Sequence, residues 1–473
     1  MSEMSSIQDS LQMKLDQLEC HFTWDIKKDD VDLPNLLSRL KEQDELDLGR
    51  EEGAARAQCS LGYVKFLLGL EDEALEHLLR SETLIKENLS ENCEKTLIVT
   101  YGNLAWINYH MKNYTKCESY LMKLQKITET YPTESSSIPE VLGEKGWAYL
   151  KFSRKYYAKA AEVFQKAVEL DPENSEWNAG YAITLYRTED GTVDSPAIKQ
   201  LRRAIEINPD DDVLRVLLGL KLMLCSKMLK NESEKLVETA LNGSPEHPHV
   251  MRYVGIFFRD QGSVDSAIEM LNKASEISPN SCFIHHQLAM CYKTKKINLT
   301  RENRNKIEID KARDKSIYHL EMATSQKASF IIAMSELALQ YGEKRYLQKA
   351  EELFDLTFKT ATEKNEHLQV VHLNYAQFQQ YCNRCEDSAI EHYKTCLTMG
   401  PNTKEGTRSA WKLVKIAKGR IKCDPNDWKG HEILGLLYNI KGNIFNDSEG
   451  YADTLANDEN GEFLNNLGEL LSQ

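Results

Sequence analysis

Apolar and polar positions alternate at helical spacing along most of the chain, and small residues recur within that pattern at fixed intervals. Gly255, Gly262, Ala267, Ala274 and Pro279 form the cleanest series, and Pro245 to Pro279 is one step of 34 residues. Two helices joined by a short turn fill such a step. The small residues let the helices cross closely and the proline closes the second one. With the crossing glycine numbered 8, the register recurs at Gly62, Gly69 and Ala74, then at Ala105, Tyr114 and Cys117. It returns at Gly146, Ala160, Ala167 and Pro172, continues to Pro209, and resumes at Gly219. Ala289 opens a seventh unit whose turn is replaced by a long basic insertion. Ala338 to Ala350, Gln377 to Ala389, and a partial unit with Gly435 and Gly442 complete the series. The third unit carries a two-residue excess around Ser153 to Tyr156.

Ahead of the repeats, Leu11, Leu15 and Leu18 share one helical face. An apolar knot, Cys20-His21-Phe22-Thr23-Trp24, follows, and then the acidic stretch Asp25 to Asp32. Pro34 suits the first turn of a second helix, which the pattern carries through Arg39 and Gln43 to about Leu48. The predicted fold is therefore all-α: a tetratricopeptide-repeat helical-hairpin superhelix with a non-repeat N-terminal helical segment. Its expected parts are the N-terminal helices covering the groove (1–50), an N-terminal and central array with a cationic pocket (51–280), an irregular repeat with the basic insertion (281–325), a C-terminal array (326–446), and a polar, acidic tail (447–473).

In a repeat superhelix, positions 5, 9, 12 and 13 of each first helix face the hollow. In the first two repeats these hold Tyr63, Phe66, Leu67, Trp106, Tyr109 and His110, an apolar wall that the N-terminal helices are expected to cover. In the middle they hold Trp147, Lys151, Ile183, Tyr186, Arg187, Arg252, Ile256, Arg259, His286 and Lys293, with Asp260 the one acid. The fifth repeat supplies only Val216, Leu220, Met223 and Leu224. Trp147 and Ile183 take matching places on successive repeats, each one turn from a cation, which makes a slot for a flat ring carrying phosphates. Singly, each cation is better read as paired with an acid on a neighbouring helix. As a set, they describe a binding surface.

The formal net charge is −14. The molecule as a whole thus repels nucleic acid and anionic membranes, and positive potential held in a recess must be local. The 11 cysteines are scattered and odd in number, which fits a reduced, cytoplasmic chain. Cys382 and Cys385 form a lone C-x-x-C, too little for zinc, and no metal or cofactor is expected. No signal peptide or membrane-spanning run is evident. Basic residues also cluster over 293–315 and 408–422, where a solvated surface is the plainer reading. Phosphate-binding, dinucleotide, zinc-protease and nucleophile-elbow motifs are all missing, so the chain reads as a binding protein and not an enzyme.

The knot at Cys20 to Trp24, the repeat order, and the block from Gly143 to Arg187 resemble the interferon-induced proteins with tetratricopeptide repeats, over about Leu11 to Gly442. That resemblance implies a cytosolic antiviral protein that binds 5′ ends of foreign single-stranded RNA in a cationic tunnel and blocks its translation. It places Trp147 and Ile183 on either side of a cap or terminal base. It places Arg39, Gln43, Lys151, Tyr157 and Arg187 around the 5′ phosphates, and Arg252, Tyr253, Arg259, His286 and Gln287 along the RNA path, to which the inward register adds Lys293. Related family members or a second copy are further implied partners; DNA and membranes are not. Ile256, Asp260 and Val213 depart from the family's usual lysine, arginine and tyrosine, which weakens the grip on the RNA chain and removes a stacking partner. The competing class is a repeat scaffold that binds an acidic protein segment, since cations in such a hollow serve a peptide carboxylate equally well.

Overall fold

The structure, a computed structural model, describes residues 2–45, 51–88, 94–131, 138–189, 194–225 and 227–444. The side chain of Gln43 and the tail 447–473 lie outside the described residues. Among the described residues every regular element is helical, and none is long and apolar enough to cross a membrane. The chain is an all-α tetratricopeptide array in two compact units that part after Cys291.

In the first unit, α1 (Ser2–Leu15) and α2 (Leu33–Glu45) precede the hairpins. These pair α3 (Glu51–Leu67) with α4 (Glu71–Asn88), α5 (Leu97–His110) with α6 (Tyr114–Thr130), and α7 (Pro139–Phe152) with α8 (Tyr157–Leu170). They continue with α9 (Ser175–Thr188) and α10 (Pro196–Ile207), α11 (Asp212–Cys225) and α12 (Lys230–Gly243), and α13 (Pro248–Gln261) and α14 (Val264–Ile277). Local chemistry sets the ends. Pro139, Pro196 and Pro248 each occupy a first turn, where a missing N–H costs nothing. Asn174 caps α9 by accepting from the Glu176 and Trp177 amides at 3.2 and 3.1 Å. Gly262 closes α13 at φ 96°, a left-handed cap that favours glycine. Gly146 and Gly180 clasp the buried Phe164 ring, which a Cβ at either position would approach to 2.9 or 2.4 Å. The small-residue register therefore marks real helix crossings.

The N-terminal segment fills the wall of the first two repeats. Phe22 stacks on Trp106 with centroids 5.6 Å apart and planes 1° from parallel, and also meets Tyr63 and Phe66. Trp106 Nε1 donates to the Leu15 carbonyl at 3.2 Å, and Tyr149 Oη to that of Trp24 at 2.9 Å. The excess at Ser153 to Tyr156 is a short 3-10 turn. It buries Tyr156, whose hydroxyl accepts from the Lys27 amide at 2.9 Å and donates to Asp30 at 2.8 Å. The extra residues thus tie the acidic stretch onto the third repeat.

α15 (Cys282–Arg301) begins in the first unit. The second unit continues with α16 (Lys306–Gln326), α17 (Ile331–Glu343), α18 (Leu347–Lys364), α19 (Leu368–Phe378), α20 (Glu386–Met399), α21 (Lys404–Cys423) and α22 (Trp428–Ile444). Here the structure corrects the expected irregular insertion. Residues 282–326 contain no proline or glycine, so the basic run lengthens both helices and the turn survives at 302–305. Much of its charge is neutralised, by Lys296 with Glu343 and Arg313 with Asp310.

Candidate functional site

Trp147 on α7 is the fixed point of the site. Phe164 meets its ring edge-on at 5.4 Å and 84°. The Arg56 guanidinium lies 5.5 Å from the indole centroid, and the Lys151 ammonium, one turn along, 5.7 Å. Arg56 is buried and ion-paired to Glu144 at 2.7 Å and to Glu176, so its own charge is more than offset where it holds the indole. Trp147 and Ile183 both remain partly exposed, on the walls of a cavity of about 270 Å³.

Arg39 from α2, Lys151 from α7, Arg187 from α9 and Arg252 from α13 all line this cavity, and among the described side chains no aspartate or glutamate does. Arg39 Nη2 donates to the Lys151 carbonyl at 2.9 Å, joining α2 to α7. Arg187 Nη1 donates to Tyr157 Oη at 3.2 Å. Arg252 lies over the rings of Tyr253 and Phe283, at 4.7 and 5.2 Å, and donates to Tyr253 Oη at 3.1 Å. Among the described residues, no carboxylate is in ion-pair range of Arg39, Arg187 or Arg252. Arg39 and Arg187 keep water-accessible surface, yet the space they face is walled by protein, which strengthens their field.

The titrating groups feel both burial and that field. Burial and then Arg56 push the Lys151 ammonium down to about 8. Burial and then Arg187 lower Arg39, and burial, Arg252, His247 and Arg187 hold His249 well below its ordinary value, hence neutral. Burial alone would raise the Tyr253 phenol, but Arg252 and Arg187 outweigh it and bring it below. Only at Tyr253 do the cations outweigh burial; at Lys151, Arg39 and His249 burial is the larger influence and the cations add to it, while Arg187 is raised by Tyr253 and Tyr157 against its burial.

The structure thus gathers Arg39, Trp147, Lys151, Ile183, Arg187, Arg252 and Tyr253 on one cavity, with Tyr157 bonded to Arg187. Gln43 falls outside the described side chains. Arg259, His286 and Gln287 form a separate cluster. Arg259 binds Asp260 and Gln287, and His286 Nδ1 lies 3.4 Å from the Gln287 amide. Lys293 belongs to the second unit and pairs with Glu336. For Arg259 and Lys293, pairing with an acid is what the structure contains. The inward-position rule missed Asn35, Ser38, His249 and Phe283, all in the lining. His249 and Phe283 occupy position 2, one turn before position 5, and Val213 does so on α11. Adding position 2 to the inward set would have found them.

Fold and cavity together define a tetratricopeptide-repeat protein with a cation-lined recess. Residues 144–212 and 98–131 match the tetratricopeptide repeat family description. The human antiviral innate immune response effector IFIT1 is 34% identical over 458 residues, covering 93% of this chain and 95% of the relative. The human interferon-induced protein with tetratricopeptide repeats 2 is 33% identical, covering 91% and 92%. The chain belongs to the interferon-induced proteins with tetratricopeptide repeats. Among solved structures, a human IFIT1 dimer with m7Gppp-AAAA superposes with a TM-score of 0.81 at 33% identity, covering 92% of this chain and 96% of that one. A human IFIT1 dimer with PPP-AAAA gives 0.79 at 33%, covering 95% and 100%.

Proposed function

We propose that this protein is a cytoplasmic antiviral effector, not an enzyme, that captures the 5′ ends of foreign single-stranded RNA and so blocks their translation. The observation that carries this is the cavity lined, among the described side chains, by four cations and no carboxylate, on a chain of net charge −14. Arg39, Lys151 and Arg187 hold the 5′ phosphates, with Tyr157 orienting Arg187 and Gln43 assigned alongside by family resemblance. Trp147 and Ile183 take the cap or terminal base between them. Arg252 and Tyr253 receive the first nucleotides, and Arg259, His286, Gln287 and Lys293 are assigned to the path beyond. The solved relatives, described as dimers with capped and with triphosphate RNA, support both the ligand class and self-association.

An acidic peptide segment is the rival ligand. The indole and isoleucine beside the cations favour a base, and α2 contributes Asn35, Leu36, Ser38, Arg39 and Leu40 to the lining, which walls off a side that a peptide groove leaves open. Binding of one RNA bearing hydroxyl, monophosphate, triphosphate and capped 5′ ends tests the reading. Triphosphate or capped ends bind tightest if it holds; equal affinity for all four refutes it.

A further inference from the structure

We infer that Asp260 limits the grip of the site to the first nucleotides of a 5′ end, because it keeps Arg259 occupied within the protein; this rests on the 5′-end reading above. Along α13, Arg252, Ile256 and Arg259 succeed one another about every turn, or ~5.4 Å. Arg252 faces the cavity. Ile256 brings no charge and packs toward the core that holds Val216 and Val254. Arg259 then spends its guanidinium on its own chain. Nε and Nη2 lie 2.7 and 2.6 Å from Asp260 Oδ1, and Nη1 donates to Gln287 Oε1.

Sequence neighbours on a helix point in different directions and do not ordinarily meet. Arg259 nonetheless meets Asp260 and, on α15, Gln287, so Nε, Nη1 and Nη2 are all engaged within the protein. Both side chains stay accessible, at 21% and 29% of their surface, so a strand leaving the cavity along α13 reaches this pair. What it meets there is a net charge of zero. A phosphate that took Arg259 would leave the Asp260 carboxylate unpaired beside it, and like charges at that distance repel. Asp260 is therefore a specificity-determining residue: it makes this protein a reader of ends with little hold on the strand behind them.

The test uses the full chain with three probes: ATP, a 5′-triphosphate RNA of about ten nucleotides, and the same RNA with a hydroxyl end. Wild type should bind the triphosphate RNA no more than about fivefold tighter than ATP. Asp260→Asn, which keeps the shape and removes the charge, should tighten the triphosphate RNA about tenfold, the effect of one charge-assisted contact. It should leave ATP unchanged and steepen the RNA's log–log salt slope by about 0.7, one more phosphate engaged. Arg259→Ala in the Asp260→Asn background should erase the gain. A wild-type RNA affinity a hundredfold above that for ATP, or an equal effect of Asp260→Asn on both ligands, overturns the inference. Failure of the parent reading is a separate signal, namely equal binding of the triphosphate and hydroxyl ends.

Discussion

Trp147 and Lys151 stand one turn apart on α7 and answer different parts of a ligand. A base stacked on an aromatic ring contributes about 1–3 kcal/mol, so Trp147→Ala should weaken capped RNA about 5- to 150-fold. Triphosphate RNA, held by Lys151 and Arg187, should lose much less. Because Phe164 packs on the indole edge, the melting temperature of the same variant separates lost stacking from a packing cavity. Equal loss for both RNAs would mean that the indole is no cap slot. Lys151 gives a pH signature. Its ammonium releases its proton near 8 instead of 10.5, and a phosphate needs it charged, so affinity should fall about tenfold between pH 7 and pH 9. The unfolded lysine holds its proton through that window, so the free protein gains stability from this group as pH rises from about 8 toward 10.5. Lys151→Arg should flatten the affinity profile, and a profile unchanged by that substitution would contradict the assignment. The repeat register placed Trp147, Lys151, Ile183, Arg187 and Arg252 on one surface from sequence alone. It could not reveal which cations are already neutralised: Arg259 pairs with its sequence neighbour, and Lys293 meets Glu336 from another helix.

At the scale of elements, the N-terminal segment makes the first repeats stable and delivers α2 to the cavity. His21 lies at its centre, 1% exposed, among Trp24, Tyr63 and Phe152 and bonded to Asn103. Burial lowers its imidazole to about 3, against 6.5 when unfolded, with the Asn103 bond a lesser opposing influence. The unfolded chain therefore binds the extra proton between those values. Stability contributed by neutral His21 is complete above about pH 6.5 and declines by up to about 1.4 kcal/mol per pH unit below it. Melting temperatures between pH 7 and pH 5 should fall more steeply for wild type than for His21→Asn; parallel curves would show that the knot carries no titrating strain. The knot and the excess at Ser153 were visible as interruptions of the repeat, though their joining through Tyr156, Lys27 and Asp30 was not, because hydrogen bonds across more than a hundred residues leave no local period. The basic insertion was misjudged for the opposite reason: a charged run without proline or glycine is ordinary helix, and only its length is unusual.

For the whole molecule, the governing fact is a strongly acidic chain that reserves a recess lined by cations. Bulk repulsion suppresses casual binding of polyanions, while four cations facing one cavity keep affinity for a compact anionic end. A single-stranded RNA held by those groups releases counterions at about 0.7 per phosphate neutralised, so the log–log slope of affinity against salt counts the contacts. The direct measurement is that slope for one RNA with a triphosphate end and with a hydroxyl end. The triphosphate form should bind tighter throughout and fall more steeply, by a difference of about 2 in slope for three engaged phosphates. Equal affinities with equal slopes would contradict a phosphate-binding cavity outright.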